Sequence, residues 1–289
     1  MNELVSAATE IATQAGRLLK DAHHRGDAAI SSKSTVIDLV TDADRESEAY
    51  ILGAIHARFP DHAVVAEESG HGRRDGAYRW VVDPLDGTVN FAHGLPHFAV
   101  LIGVQAWKGG AFETVVGVTY DPMLAELFVA VEGGHATLNG ARLRTSGTTR
   151  LIDAVGATGF MYDRLSRGDD NHREFCRLNL LTQGVRRTGS AGLDLAYVAC
   201  GRFDFFWEST LRLWDLVGGA LMIREAGGVI TNVDGRPHDP DRGTALAANP
   251  TLHPMVLAAL ASAAAHPTGS RDGLEAFLPP ELAKGLFRG

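Results

Sequence analysis

Trp80-Val81-Val82-Asp83-Pro84-Leu85-Asp86-Gly87-Thr88-Val89-Asn90-Phe91 carries an apolar run into a corner. Asp83 falls where the run ends. Pro84 removes a ladder donor and Gly87 permits a tight turn, so Asp86 and Thr88 are expected at the start of a helical turn. Two carboxylates three residues apart at such a corner can converge on one point. Hard cations such as Mg²⁺ take oxygen ligands in octahedral geometry at roughly 2.0–2.1 Å. The N–H groups of Gly87 and Thr88 would face outward at the helix start, a favourable place for a phosphate. A lone Asp in a turn is usually structural; here strand end, proline and glycine all surround the pair.

Working outward, Val64-Val65-Ala66-Glu67-Glu68-Ser69 places two glutamates directly after a short apolar run, and Trp214-Asp215 directly precedes an apolar helix that runs to Gly227. Each would be unremarkable alone: a solvated loop pair, and a helix N-cap favoured by the dipole. Together with Asp83 and Asp86 they put three acidic clusters at strand ends or helix starts, where chain reversal in α/β structures brings distant segments together. Thr41-Asp42-Ala43-Asp44 fits a helix capping box, which gives Asp44 a structural role whatever else it does.

Periodicity predicts helices over 1–26 and from 41–42 to just before Pro60, then strands over 62–66, 79–82, 97–107, 113–120 and 125–131, with Asn139-Gly140 as a hairpin turn. The small polar stretch 145–149 marks a boundary between an N-terminal α+β lobe (1–145) and a C-terminal α/β lobe (146–265). In the second lobe strands are expected at 154–158, 185–188, 203–208, 229–233 and 245–248, and helices at 171–181, 191–200, 216–225 and 252–264. The tail 266–289 is rich in Pro and Gly without periodicity and reads as loosely held.

The chain of 289 residues is 45% hydrophobic and 21% charged, an ordinary globular composition. A formal charge of −8 argues against general nucleic-acid binding, which needs basic surface. It is compatible with a phosphorylated metabolite, because bound cations invert the field of an acidic cleft. Two cysteines, Cys176 and Cys200, read as reduced thiols. The first helix lacks the pattern of a signal peptide and no apolar run reaches spanning length, so the expected location is cytoplasmic. The histidines show no zinc spacing, and no glycine-rich run ends in Gly-Lys-Ser/Thr. Asp42, Asp44 and Glu46 imitate an EF-hand start, but Ser47 and Gly53 stand where glycine and glutamate are required.

These motifs, in this order, resemble the inositol monophosphatase family: Asp38-Leu39-Val40-Thr41 with Asp44, Glu67-Glu68-Ser69, Asp83 to Phe91, Asn139-Gly140, Trp214-Asp215, Glu225-Ala226-Gly227-Gly228 and Ala247-Ala248-Asn249. The resemblance implies the layered α-β-α-β-α sandwich of the sugar-phosphatase superfamily, an α+β fold, and Mg²⁺-dependent, lithium-sensitive phosphate-monoester hydrolysis by a homodimer. It implies two to three Mg²⁺ per site: one on Glu67, Asp83 and the Leu85 carbonyl, a second on Asp83, Asp86 and Asp215, and a weaker third near Glu67. Asp44 and Thr88 would orient the attacking water, with Glu68 close by. Asp86, Gly87, Thr88, Gly189, Ser190, Ala191, Glu208, Arg212 and Asp215 would contact substrate. Lys33 would stand on a loop near the outer metal.

Inositol monophosphate is the substrate this resemblance favours, since carboxylates such as Glu208 accept hydrogen bonds from neighbouring hydroxyls. Arg212, three residues before Asp215, resembles the bacterial branch. Histidinol phosphate is the main alternative, because an acidic pocket also accepts an amine; fructose 1,6-bisphosphate and 3′-phosphoadenosine nucleotides would ask for a stronger basic cluster. A regulatory binding protein that has kept the fold, with transcription or ribosome partners, is the alternative of another class.

Overall fold

The computed structural model describes residues 1–26, 30–32, 39–71, 76–162 and 171–280. Helix α1 (Asn2–Arg25) buries Leu4, Ala8, Ile11, Ala15 and Leu19 at helical spacing and stops at Gly26, whose left-handed φ of 71° lets its N–H close on Ala22 and His23. A short antiparallel ribbon, β1 (Ile30–Ser32) and β2 (Leu39–Thr41), leads into α2 (Asp42–Arg58). Lys33 and Asp38 lie outside the described residues.

The first large sheet has eight strands: β3 (Ala63–Ala66), β4 (Gly70–His71), β5 (Tyr78–Asp86), β6 (Ala99–Lys108), β7 (Ala111–Asp121), β8 (Glu126–Val131), β9 (Ala136–Leu138) and β10 (Ala141–Arg142). Their spatial order is β10-β9-β8-β7-β6-β5-β3-β4, antiparallel except where β3 runs beside β5. One-turn helix α3 (Thr88–Ala92) follows β5. The second sheet has the order β12-β11-β13-β15-β14, from β11 (Val155–Thr158), β12 (Gly184–Arg186), β13 (Phe205–Ser209), β14 (Val229–Thr231) and β15 (Thr244–Ala248). Helices α4 (His172–Leu181), α5 (Ala191–Ala199), α6 (Leu213–Glu225) and α7 (Leu252–Ala263) complete the chain's main elements.

The layers follow from which faces are apolar. Helices α1 and α2 cover one face of the first sheet, with Ile51, Ile55, Trp80, Val82 and Ile102 in the core between. Helices α5 and α6 lie between the two sheets, and α4 and α7 close the outer face of the second. This is the α-β-α-β-α sandwich of an α+β protein. A helix covered on both sides must be apolar all round, and residues Leu216 to Ile223 of α6 are buried without interruption.

Three expectations are corrected. Strand β5 does not end at Asp83 but continues through Pro84 to Asp86, because a bulge absorbs the missing ladder donor. Helix α6 begins at Leu213, so Asp215 lies inside its first turn rather than ahead of it. The described part of the tail is anchored: Leu274 is buried in the outer core, and buried Arg177 donates to the Asp272 carbonyl at 2.7 Å. Among the described residues no helix is long and apolar enough to cross a membrane, and both cysteines are free.

Helix α6 meets the first sheet backbone to backbone. A Cβ on Gly117 of β7 would stand 2.6 Å from the Gly218 carbonyl oxygen and 2.8 Å from its Cα, so no side-chain rotation can relieve it. Gly117→Ala is therefore expected to lift α6 and to cost about 1–3 kcal/mol, lowering the melting temperature by several degrees in a thermal scan. A variant melting within a degree of wild type would show that the two layers have slack.

Candidate active site

A cleft of about 890 Å³ opens between the end of β5, the start of α5, β13 and the first turn of α6. Glu67, Asp83, Leu85, Asp86, Gly87, Thr88, Gly189, Ser190, Ala191, Glu208, Arg212 and Asp215 all line it. Asp44 and Glu68 stand outside that lining.

The bulge decides how the two aspartates of the corner face. In a regular strand residues i and i+3 point to opposite sides. Here Asp83 pairs with Leu101 and Asp86 with Ala99, so three steps on β5 span two on β6. The extra residue brings both carboxylates to the same cleft. The Asp83 carboxylate accepts the Leu85 N–H at 3.0 Å. Asp86 accepts the Ser190 hydroxyl at 2.6 Å and the Gly192 N–H at 2.7 Å. Gly87, with φ of 100°, turns the chain into α3, and a Cβ there would meet the His97 carbonyl oxygen at 3.0 Å. Helix α3 is one turn long, so its dipole adds little to anion binding at that corner.

Asp44 accepts hydrogen bonds on both of its carboxylate oxygens. One oxygen accepts the Thr41 N–H at 2.8 Å and the Thr41 hydroxyl at 2.6 Å, which caps α2. The other accepts the Thr88 hydroxyl at 3.0 Å. Asp44 is fully buried and is joined to the cleft lining through Thr88. Asp215, at the third position of α6, accepts the Arg212 N–H at 2.7 Å. Glu67 extends the β3–β5 pairing by donating its N–H to the Val82 carbonyl at 3.2 Å.

The electrostatics are those of crowded acids. Burial first, then repulsion from Glu67, Asp86 and Asp215, pushes Asp83 well above the usual carboxylate range. Burial, with repulsion from Asp86 and Glu67, likewise raises Asp215. Burial raises Asp86 to about 6, with its hydrogen bonds from Ser190 and Gly192 opposing the rise. Burial raises Glu208 to about 8, opposed by the charge of Arg187.

Four carboxylates around one cleft are the oxygen donor set that a hard divalent cation prefers, and a cation would reverse the repulsion that helps raise Asp83, Asp86 and Asp215. Among the described residues no three acidic, histidine or cysteine side chains already close on a single point. Each instead keeps its own partner: the Leu85, Gly192 and Arg212 N–H groups hold Asp83, Asp86 and Asp215 in turn. The donor chemistry fits a metal.

Asp194 and Arg187 are among the lining residues that escaped the sequence. Asp194, buried in the first turn of α5, accepts the Thr188 hydroxyl at 2.6 Å and is raised well above its ordinary value by burial. Arg187 faces Glu208 and Asp194 across the cleft. The signal for Asp194 was present: it is the one charge in Ala191-Gly192-Leu193-Asp194-Leu195-Ala196, an otherwise apolar run.

The model of the inositol monophosphatase family matches residues 1–265. The chain belongs to the inositol monophosphatase family. An inositol-1-monophosphatase of Synechocystis is 46% identical over 234 residues, covering 81% of this chain and 80% of that protein. The Nus factor SuhB of Pseudomonas aeruginosa is 41% identical over 254 residues, covering 86% and 92%. The solved inositol monophosphatase of Anabaena superposes with a TM-score of 0.81 at 42% identity, covering 90% of this family member and 96% of that structure.

The raised carboxyls fix the sign of a pH effect. An acid whose folded pKa lies above its unfolded value binds more protons when folded, so its stabilising contribution is lost as pH rises. For Glu208 the window runs from its ordinary 4.5 to about 8. In chelator-treated protein, Glu208→Gln should therefore gain melting temperature relative to wild type as pH is raised from 5 to 8. A constant or shrinking difference across thermal scans would contradict the burial of this carboxyl.

Proposed function

We propose that this protein is a Mg²⁺-dependent phosphoric monoester hydrolase acting on a small phosphorylated polyol, with inositol monophosphate as the first candidate. The observation that carries the reading is the meeting of Glu67, Asp83, Asp86 and Asp215, from three separate chain segments, on one cleft. Glu67, Asp83 and the Leu85 carbonyl would hold one ion, and Asp83, Asp86 and Asp215 a second, with two to three ions per site. Divalent ions held there would acidify an attacking water and neutralise charge on the phosphoryl and leaving oxygens.

The chain's own groups supply orientation. Thr88 Oγ1 carries one proton and has two acceptors, Asp44 Oδ1 and the Leu85 carbonyl, each at 3.0 Å. Giving its proton to either leaves a lone pair directed to a water in the cleft. Ser190 and Gly192 fix Asp86 from behind. Glu208, held near 8, can at neutral pH both donate to and accept from hydroxyls of a bound alcohol. Asp86, Asp194 and Glu208, three acids against the one cation of Arg187, support a neutral or cationic leaving group over a second phosphate. Lithium inhibition and a homodimer are expected on the family resemblance, and a cytoplasmic location on the sequence pattern of the first helix. A regulatory role is kept as a second reading because a relative of high coverage carries the name Nus factor.

Initial rates of phosphate release on inositol 1-phosphate, histidinol phosphate, fructose 1,6-bisphosphate and 3′-phosphoadenosine 5′-phosphate, with and without Mg²⁺, test the assignment. Inositol 1-phosphate should be fastest and every rate should vanish on chelation. Asp83→Asn should lower all rates together by at least about 10²-fold, the scale of removing one group that stabilises transition-state charge. Release that is indifferent to both chelation and Asp83→Asn would leave the binding-protein reading in its place.

A further inference from the structure

Helix α2 presents three polar side chains to the core on successive turns of one face: Asp44, Ser47 and Glu48, all buried. Asp44 meets Thr88 as described. The Ser47 hydroxyl donates to the Pro84 carbonyl at 2.8 Å, inside the bulge that aims Asp83 and Asp86. Glu48, only 4% exposed, uses both oxygens on the turn after β3: it accepts the Glu68 N–H at 2.8 Å and the Ser69 N–H at 2.8 Å. No part of the functional reading above uses Glu48.

A carboxylate buried this deeply needs compensation, and two convergent backbone N–H groups provide it. The same pair of bonds fixes the residues immediately after Glu67. Glu67 is already tied in front by its N–H to Val82. Its side chain is thus carried on a turn pinned at both ends, and it lines the same cleft as Asp83. Two acids placed together repel once ionised, and a turn free to swing would carry Glu67 away. We propose that Glu48 is a positioning residue for the metal site: by clamping the backbone of Glu68 and Ser69 it holds Glu67 against Asp83 before a cation arrives. This assignment rests on the hydrolase reading, since it gives Glu48 a purpose only if Glu67 is a ligand.

Groups that orient metal ligands at one remove typically set affinity by 10–100-fold when lost. In Glu48→Gln the amide NH₂ would face a backbone N–H, so one of the two bonds is lost while size is kept; Glu48→Asp keeps the charge and shortens the reach. Calorimetric titration of Mg²⁺ into chelator-treated, dialysed full-length protein is expected to show binding weakened about 10–100-fold in Glu48→Gln, with a smaller loss in Glu48→Asp. Turnover at saturating Mg²⁺ should recover most of the wild-type kcat, because no reacting group has been removed. Ile55→Val, a core trim elsewhere on α2, controls for general loosening and should bind Mg²⁺ within about twofold of wild type while melting lower. If Glu48→Gln fails to fold by circular dichroism, Glu48→Asp against Ile55→Val decides alone. Affinities unchanged in both Glu48 variants, or reduced no more than in Ile55→Val, overturn the assignment and leave the hydrolase reading standing. A wild type that binds no Mg²⁺ overturns both.

Discussion

Mutual repulsion among Glu67, Asp83, Asp86 and Asp215 is the constraint that the rest of this structure accommodates. Acids at close range in a partly enclosed site disfavour their own ionisation, and nothing about a hydrophobic core would assemble them. Each is held by a directional bond from somewhere else: Asp83 by the chain two residues on, Asp86 by the start of α5, Asp215 by the backbone that opens α6, and Glu67 by its pairing to β5. The fold thus opposes the repulsion with backbone hydrogen bonds, which do not neutralise charge; on the proposed reading the charge itself is left to a bound ion.

The layered architecture explains why those four residues come from different elements. Glu67 and the Asp83–Asp86 corner belong to the first sheet, whereas Asp215 belongs to the helix layer between the sheets. Helix α6 is apolar along its buried length, so its one acidic residue in the first turn sits where the helix emerges into the cleft. The distance between the two halves of the site is set by how closely α6 can approach β6 and β7. Glycines at 117 and 218 allow contact with no side chain between, and Gly103 admits Val217 in the same way.

Much of this was legible in the sequence because the strong signals were redundant. The 3.6-residue period of α1 and the hairpin signal at Asn139-Gly140 correspond to elements found in place. The acidic corner was legible as chemistry but not as geometry. Pro84 argued for a strand end, and only the register against β6 reveals a bulge that places Asp83 and Asp86 on one side. Glu48, Ser47 and Asp194 were missed because a polar residue in a helix is normally read as solvated. The partners of Glu48 and Ser47, Glu68 and Pro84, lie 20 and 37 residues away in sequence, beyond any local pattern, whereas Thr188 lies six residues before Asp194. The described part of the tail was misjudged because composition alone does not register one buried leucine and one arginine reaching across to it.

Helix α2 shows the same logic from the other side. Its buried face is mixed, with Asp44, Ser47 and Glu48 beside Ile51 and Ile55. An optimised surface helix would fill those positions with leucine and gain hydrophobic stability. Three buried polar groups there are tolerable only because each is matched by a partner on the turn after β3, in the β5 bulge or at the start of α3, the segments next to the acidic cluster. Replacing them with apolar residues would remove both members of no pair, since the loop N–H and carbonyl groups would stay behind unpartnered. The helix and the loops therefore specify one another. The surrounding core at Ile51 and Ile55 supplies the rigidity that lets one helix act as a common reference for turns that are distant along the chain.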